Sequence, residues 1–370
     1  MPKALILANS SSGLYDFRNE LLLSLLKEGY EVVISLPDDL RNKELSAEGC
    51  RVVHTEINRR GVNPVQDMAL FRAYISLLKN EKPDIVLTYT IKPNIYGGFA
   101  CRLLKIPYFS TITGLGSTFE RGGVLLKLII AMYKLSLKKC RCLFFQNDAN
   151  RKVFEEHGIK AKKHVTVSGS GVNLDKHRFE EYPGHADDIT RFLYIGRLMK
   201  EKGTEEYLYC ARKLRDKYGE KVAFSTVGYF EDDYEDKVKE AEEKGFLKMI
   251  PYQKDIHPYI READAIVHPS YHEGMSNVLM EAAATGRPVI ASNINGCKEI
   301  VDDKVSGILV KVRDREALYD ALDRFMGMSL EDRKKMGLAG RKWVEDHFDR
   351  MQVVEQYMRE LTRVVLCLCV

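Results

Sequence analysis

Two glutamates eight positions apart, Glu273 and Glu281, stand in the stretch "HEGMSNVLMEAAATGRPVIAS" between two short apolar runs. Gly274 follows the first of them, and a glycine there admits a positive φ and lets a ligand approach the backbone. Ser276 is suited to cap a helix, which would leave the amides of Asn277, Val278 and Leu279 directed outward as a phosphate site. Glu281 comes about one turn further in, at a reach suited to the two hydroxyls of a ribose. Glu273 is then left for whatever the phosphate carries. Taken alone, the same stretch also describes a capped helix with two solvated glutamates.

A second group sits in "YIGRLMKEKG", with Gly196, Arg197, Lys200, Lys202 and Gly203 directly after an apolar run. Cations on a glycine-flanked loop can neutralise a diphosphate and stabilise it as it leaves. A solvated basic turn is the alternative. Finding both segments in one half of the chain, each at the end of an expected strand, favours the binding site. No D-x-D stands at a strand end, and "EDDYED" (Glu231–Asp236) reads as the acidic start of a helix. A metal-dependent sugar transferase needs carboxylates to hold a divalent cation against the diphosphate. Here Arg197 and Lys202 supply that charge, so neither metal nor cofactor is expected.

These residues require elements that deliver loops to one edge. The chain alternates apolar runs ("ALILA", "EVVISL", "RVVHT", "DIVLTY", "YFSTIT", "CLFFQ", "HVTVS") with helical patterns such as Asn19–Glu28 and Gln66–Lys79. The rhythm repeats in "RFLYIG", "VAFSTV", "KMIPY", "AIVHPS", "PVIAS" and "GILVK". Alternation of this kind predicts two doubly wound α/β domains with parallel sheets and ligands at the carboxyl ends of the strands. The expected boundaries are 1–170, a linker 171–190, 191–346, and a closing helix 347–370 that could cross back to the first domain. Helices are expected at Arg315–Met326, Leu330–Asp346 and Arg350–Val365. The only tryptophan, Trp343, falls in one of them as a core or interface residue.

The 370 residues suit two such cores, and 45% apolar with 30% charged residues is a globular composition. The net charge of +4 is too small to indicate nucleic-acid binding, but residues 1–145 carry 20 Lys+Arg against 13 Asp+Glu. That asymmetry points the first half towards an anionic partner such as a membrane surface. The eight cysteines form no CxxC pair and have no zinc-like histidine spacing, so they are expected to be reduced thiols. Ala4–Ala8 reads as a first strand and not as a signal peptide, and no apolar run of about 18 residues is present. A cytoplasmic protein, peripheral on the inner face of the membrane, is expected.

The order "GRLMKEKG" then "HPSYHEGMSNVLMEAAATGRPVIAS" resembles the donor domain of the retaining glycosyltransferases of family four, which have the GT-B fold, two Rossmann-like domains facing a cleft. "SSSGLYDFR", "TIKPNIYGG" and "TITGLGS" in the first half resemble the capsular and lipid-linked oligosaccharide subgroup, which includes N-acetylgalactosaminyltransferases acting on polyprenyl-diphosphate sugars. The resemblance spans essentially the whole chain. It implies that Arg197 and Lys202 bind the diphosphate of a UDP-sugar, with Gly196 in the same loop, and that Glu281 holds the ribose. Glu273 would bind sugar hydroxyls, with Gly274, Met275, Ser276, Asn277 and Val278 lining the pocket. The segment at Tyr252 would meet the base, and Gly13 the diphosphate. Many members carry a histidine in the loop that corresponds to "TITGLGS". Here Gly114 and Gly116 fill that loop, and no catalytic histidine is assigned in the first domain.

With one carboxylate beside the sugar, retention fits a same-face displacement more readily than a double displacement through Glu273. On the acceptor side, Asp16, Arg18 and Lys92 lie near strand ends and could bind a lipid-linked diphosphate or sugar, or be ordinary surface residues. In "VLLKLIIAMYKLSLKK", Lys127, Lys134 and Lys138 form one stripe with Ala131, suited to an anionic membrane interface or to a core helix whose lysines emerge at the surface. The expected activity is transfer of a hexose or N-acetylhexosamine to a polyprenyl-diphosphate saccharide in bacterial surface or glycoprotein glycan assembly. A UDP-sugar 2-epimerase and a non-catalytic nucleotide-sugar binder are the rivals.

Overall fold

In the computed structural model, residues 1–58, 63–115, 119 and 122–366 are described. They divide into two compact units, Met1–Ser170 with Arg350–Val370, and Gly171–Asp349.

The first unit holds a seven-stranded parallel sheet: β1 (Lys3–Leu7), β2 (Glu31–Leu36), β3 (Arg51–His54), β4 (Ile85–Tyr89), β5 (Tyr108–Ile112), β6 (Cys142–Phe145) and β7 (His164–Thr166). Their order is β3-β2-β1-β4-β5-β6-β7, so the winding reverses between β1 and β4. Side chains alternate across such a strand. Ala4 and Ile6 join one core and Leu5 and Leu7 the other, so both faces are covered. The helix Arg350–Leu366 belongs to the first of these cores through Val353, Val354, Tyr357 and Leu361. Tyr357 stacks on Phe144 at 4.0 Å and its hydroxyl lies 2.9 Å from Thr111 Oγ1.

The second unit holds β8 (Thr190–Leu198), β9 (Val222–Phe230), β10 (Lys248–Pro251), β11 (Ala265–His268), β12 (Val289–Ser292) and β13 (Gly307–Val310), all parallel, in the order β10-β9-β8-β11-β12-β13. Again both faces are packed, Phe192 and Tyr194 on one side, Leu193 and Ile195 on the other. The winding reverses between β8 and β11, and ligands of doubly wound sheets bind at such a point.

Three sequence expectations change. The first helix begins at Ser11, not near Asn19, because Ser10 caps it and accepts a bond from the Gly13 amide. Gly13 therefore lies in a first helical turn and not in a loop. Residues 171–190, expected as a linker, pack within the second unit: Val172, His177 and Tyr182 are buried. The fully buried Arg287 fastens this stretch by donating to the carbonyls of Glu180 (2.9 Å) and Glu181 (2.8 Å). The acidic run at 231–236 starts its helix only at Glu235, leaving Glu231 and Asp232 for other contacts.

Candidate active site

The site in the second unit is assembled by two loops leaving neighbouring strands. β8 runs through Gly196 and Arg197 to Leu198, and a short 3-10 turn, Lys200–Lys202, follows. Thr204 fixes this turn, accepting from the Met199 amide and donating to the Met199 carbonyl, both at 2.9 Å. Gly203, at φ 73°, ends it against the loop after β11: a Cβ there would come within 2.2 Å of the Pro269 carbonyl oxygen. The two loops are joined further by the Tyr271 amide, which donates to the Glu201 carbonyl at 2.9 Å. Close backbone approach of the loops is what carries Lys202 to Glu273.

Lys202 Nζ donates to Glu273 Oε1, and the His268 Nε2 lies 2.9 Å from the same oxygen. Glu273 is 13% exposed. Burial alone would raise its carboxyl, but the Lys202 charge and the His268 contact outweigh it and hold the group well below the usual carboxylate range. Behind it, Gly296 at φ 87° leaves no room for a side chain, since a Cβ would sit 2.9 Å from Glu273 Cβ and from the Glu273 and Gly274 carbonyl oxygens.

Ser276 caps the helix Asn277–Ala284, accepting from the Leu279 amide at 3.4 Å, so that amide is engaged by the cap and not directed outward. The Ser276 hydroxyl also lies 3.2 Å from His268 Nε2, and its amide donates to the Gly296 carbonyl at 2.9 Å. Met275 is buried and Val278 packs against the core. Glu281 is 6% exposed, with its Oε1 3.5 Å from the Nε2 of the buried His177. Tyr252, half exposed after β10, meets the equally exposed Tyr229 at the end of β9, ring centroids 6.3 Å apart.

The structure thus brings Lys202, Glu273 and Ser276 together. Arg197 instead points to Glu231, with NH1 3.5 Å from its carboxylate, and Asp232 accepts from the Lys200 amide at 3.0 Å. The acidic run that read as a mere helix start holds the basic loop. Sequence reasoning missed His268, Glu231, His177 and Gly296. His268 carried a signal, a polar residue ending an apolar strand five positions before the glutamate. The others depend on strand register and long-range packing.

In the first unit the expected residues are engaged otherwise. Asp16 pairs with Arg41 at 3.0 Å, and Lys92 with Asp67 at 2.7 Å. Arg18 is 6% exposed, its guanidinium 5.4 Å from the Tyr89 ring centre and 6.0 Å from that of Tyr357. Gly114 has φ 154°, and Gly116 lies outside the described residues. The helix Gly123–Leu137 exposes Val124 (85%), Leu128 (51%) and Leu135 (53%) along one stripe. Lys127, Lys134 and Lys138 are exposed along the adjacent stripe. Among the described residues no helix is long and apolar enough to cross a membrane. Among the described residues no group of three or more His, Cys, Asp or Glu is arranged to hold a metal ion, and the six described cysteines are free and buried. Trp343 stacks on His347 at 4.0 Å.

Residues 175–343 match the family described as glycosyl transferases group 1, and residues 3–147 that described as glycosyl transferase 4-like. A curated relative from Campylobacter jejuni, the N,N'-diacetylbacillosaminyl-diphospho-undecaprenol alpha-1,3-N-acetylgalactosaminyltransferase, is 26% identical over 97% of this chain and 98% of its own. An Escherichia coli UDP-Gal:alpha-D-GlcNAc-diphosphoundecaprenol alpha-1,3-galactosyltransferase is 28% identical over 72% of each chain. The Staphylococcus aureus capsular polysaccharide biosynthesis glycosyltransferase CapM is 25% identical over 90% of each. Anabaena HepE, solved with UDP and glucose, superposes with a TM-score of 0.77 at 16% identity over 98% of this chain and all of its own. The sucrose-phosphate synthase of Thermosynechococcus elongatus gives 0.78 at 19% identity, over 99% of this chain and all of its own.

Proposed function

The chain is a glycosyltransferase of GT-B fold, its halves belonging to the glycosyl transferase 4-like and group 1 families, and on that premise we propose that it moves a sugar from a UDP-sugar to an undecaprenyl-diphosphate-linked saccharide, with retention and without a metal. The observation that carries the donor side is the convergence of Lys202 and His268 on Glu273 where the winding reverses. In that place a cation suited to a diphosphate stands beside a carboxylate that stays ionised and can accept from sugar hydroxyls.

The reaction forms a bond from the acceptor hydroxyl oxygen to the anomeric carbon on the face from which the β-phosphate oxygen departs. The hydroxyl proton passes to that departing phosphate oxygen, so no separate protein base is required. Negative charge grows on the diphosphate as its bond breaks. Arg197 and Lys202 stabilise it, while Glu273 fixes the sugar through its hydroxyls. Donor entry then requires Lys202 to leave Glu273 and Arg197 to leave Glu231 for the diphosphate. Glu281 takes the ribose, Gly196 and the segment Gly274–Val278 line the donor, and Tyr252 with Tyr229 offers rings to the base.

The acceptor reading draws on the relatives, two of which are named for diphospho-undecaprenol substrates. It draws also on the exposed Val124, Leu128 and Leu135 beside Lys127, Lys134 and Lys138, a combination that suits the inner face of an anionic membrane. The test is UDP release from a panel of UDP-sugars with a polyprenyl-diphosphate sugar as acceptor, in the presence of EDTA. One donor should give acceptor-dependent UDP release with product of unchanged anomeric configuration. Conversion of the donor to another UDP-sugar without acceptor, or no release with any donor, would overturn the proposal.

A further inference from the structure

Both partners of Glu273 meet one oxygen. Lys202 Nζ and His268 Nε2 converge on Oε1, and among the described residues Oε2 accepts no hydrogen bond. The two partners differ in how they are held. Lys202 is a long side chain on a turn, whereas His268 is the last residue of β11, 5% exposed, with its ring also held by Ser276. A diphosphate entering the site draws Lys202 away. Without a second donor, a largely buried carboxylate would then lose its orientation as the sugar arrives.

We propose that His268 is the positioning residue of the sugar-binding carboxylate: it keeps Glu273 Oε1 in place while Lys202 passes to the donor diphosphate, leaving Oε2 for sugar hydroxyls. The proposal rests on the donor reading given above. The proton assignment follows from the contacts. An ionised carboxylate only accepts, so Nε2 of His268 carries the hydrogen, whichever charge the ring bears. That N–H is shared between Glu273 Oε1 at 2.9 Å and the Ser276 hydroxyl at 3.2 Å. The same ring also touches the capping hydroxyl of the helix Asn277–Ala284, but Ser276 is held besides by the Leu279 amide and by its own amide on the Gly296 carbonyl.

The test compares two variants at this position. His268→Phe keeps a ring and deletes the N–H, and His268→Gln keeps an N–H donor on a different frame. For each, UDP affinity is measured by titration calorimetry, kcat and KM for the UDP-sugar by UDP release, and the unfolding midpoint by thermal melting. Loss of one hydrogen bond to a charged group corresponds to about a ten- to hundredfold fall in kcat/KM for the UDP-sugar in His268→Phe. UDP affinity, which does not involve the sugar, should stay within about twofold. His268→Gln should recover most of the loss. Unchanged kcat/KM in His268→Phe, or a fall in UDP affinity and in melting point matching the fall in turnover in both variants, would overturn the proposal. A wild-type protein that neither binds UDP nor releases it from any UDP-sugar would instead sink the donor reading itself, and this one with it.

Discussion

The segments that follow the first strand of each sheet, a helix in one and a turn in the other, occupy the same topological place and use their charges differently. After β1, Ser11 bonds to Asp38 and Asp16 to Arg41, both in the segment after β2, and the Arg18 guanidinium lies over the Tyr89 and Tyr357 rings. After β8, Lys202 reaches Glu273 in the loop after β11, and one oxygen of that carboxylate has no partner among the described residues. In the first unit the polar residues hold the fold together. In the second, Lys202 and His268 meet on one carboxylate oxygen of Glu273, an arrangement that the proposed donor diphosphate would have to displace. On the proposed donor reading, the charges at these two strand ends differ in whether a ligand draws them from their partners.

That difference can be broken in steps. The largest effect is expected from Arg197→Ala, which removes a donor to the growing charge: kcat should fall about 10²- to 10³-fold with little rise in the donor KM. A rise in KM with unchanged kcat would assign Arg197 to ground-state binding. Next, Lys127→Ala, Lys134→Ala and Lys138→Ala combined should weaken flotation with anionic liposomes by about 3 kcal/mol, roughly a hundredfold. Unchanged flotation would remove the membrane role from that helix. Gly296→Ala forces a side chain into the left-handed region against the Glu273 and Gly274 backbone, and should cost about 1–3 kcal/mol in denaturant unfolding together with donor turnover.

Arg18→Met should lower stability by about 2 kcal/mol through the lost cation–ring contacts while leaving UDP affinity unchanged. A change in UDP affinity there would blur the contrast between the two segments. The smallest effect concerns pH. Glu273 titrates below its ordinary value of 4.5, so its ionisation stabilises the fold above about that pH and the benefit is lost as pH falls towards the lower folded value. Melting midpoints of Glu273→Gln and wild type should therefore converge on acidification below pH 4.5 and separate above it.

Much of the architecture was legible because short apolar runs alternating with amphipathic stretches allow few other folds. Arg315–Met326 was read to the residue, since Asp314 caps its start and Gly327 ends it. The start of the first helix is hidden because "SSSG" looks like a loop until Ser10 is seen to cap it. The stretch 171–190 hid its burial because a few anchors, His177 and Tyr182 among them, are scattered through polar residues, and because Arg287 binds its carbonyls from about 106 positions away. In the site, Glu273 and Lys202 were legible from type and spacing. Their direct contact was not, since it depends on how closely Gly203 lets one loop lie on Pro269. The Glu231 hold on Arg197 needs the register of β8 on β9, where Arg197 stands opposite Tyr229.

The central claim is that Lys202 exchanges Glu273 for a diphosphate. Calorimetric titration with UDP and with UMP tests it most directly, in wild type and in Lys202→Ala. Wild type should bind UDP well above UMP, and Lys202→Ala should weaken UDP about ten- to hundredfold with UMP nearly unchanged. Equal UDP affinity in the two proteins would contradict the account.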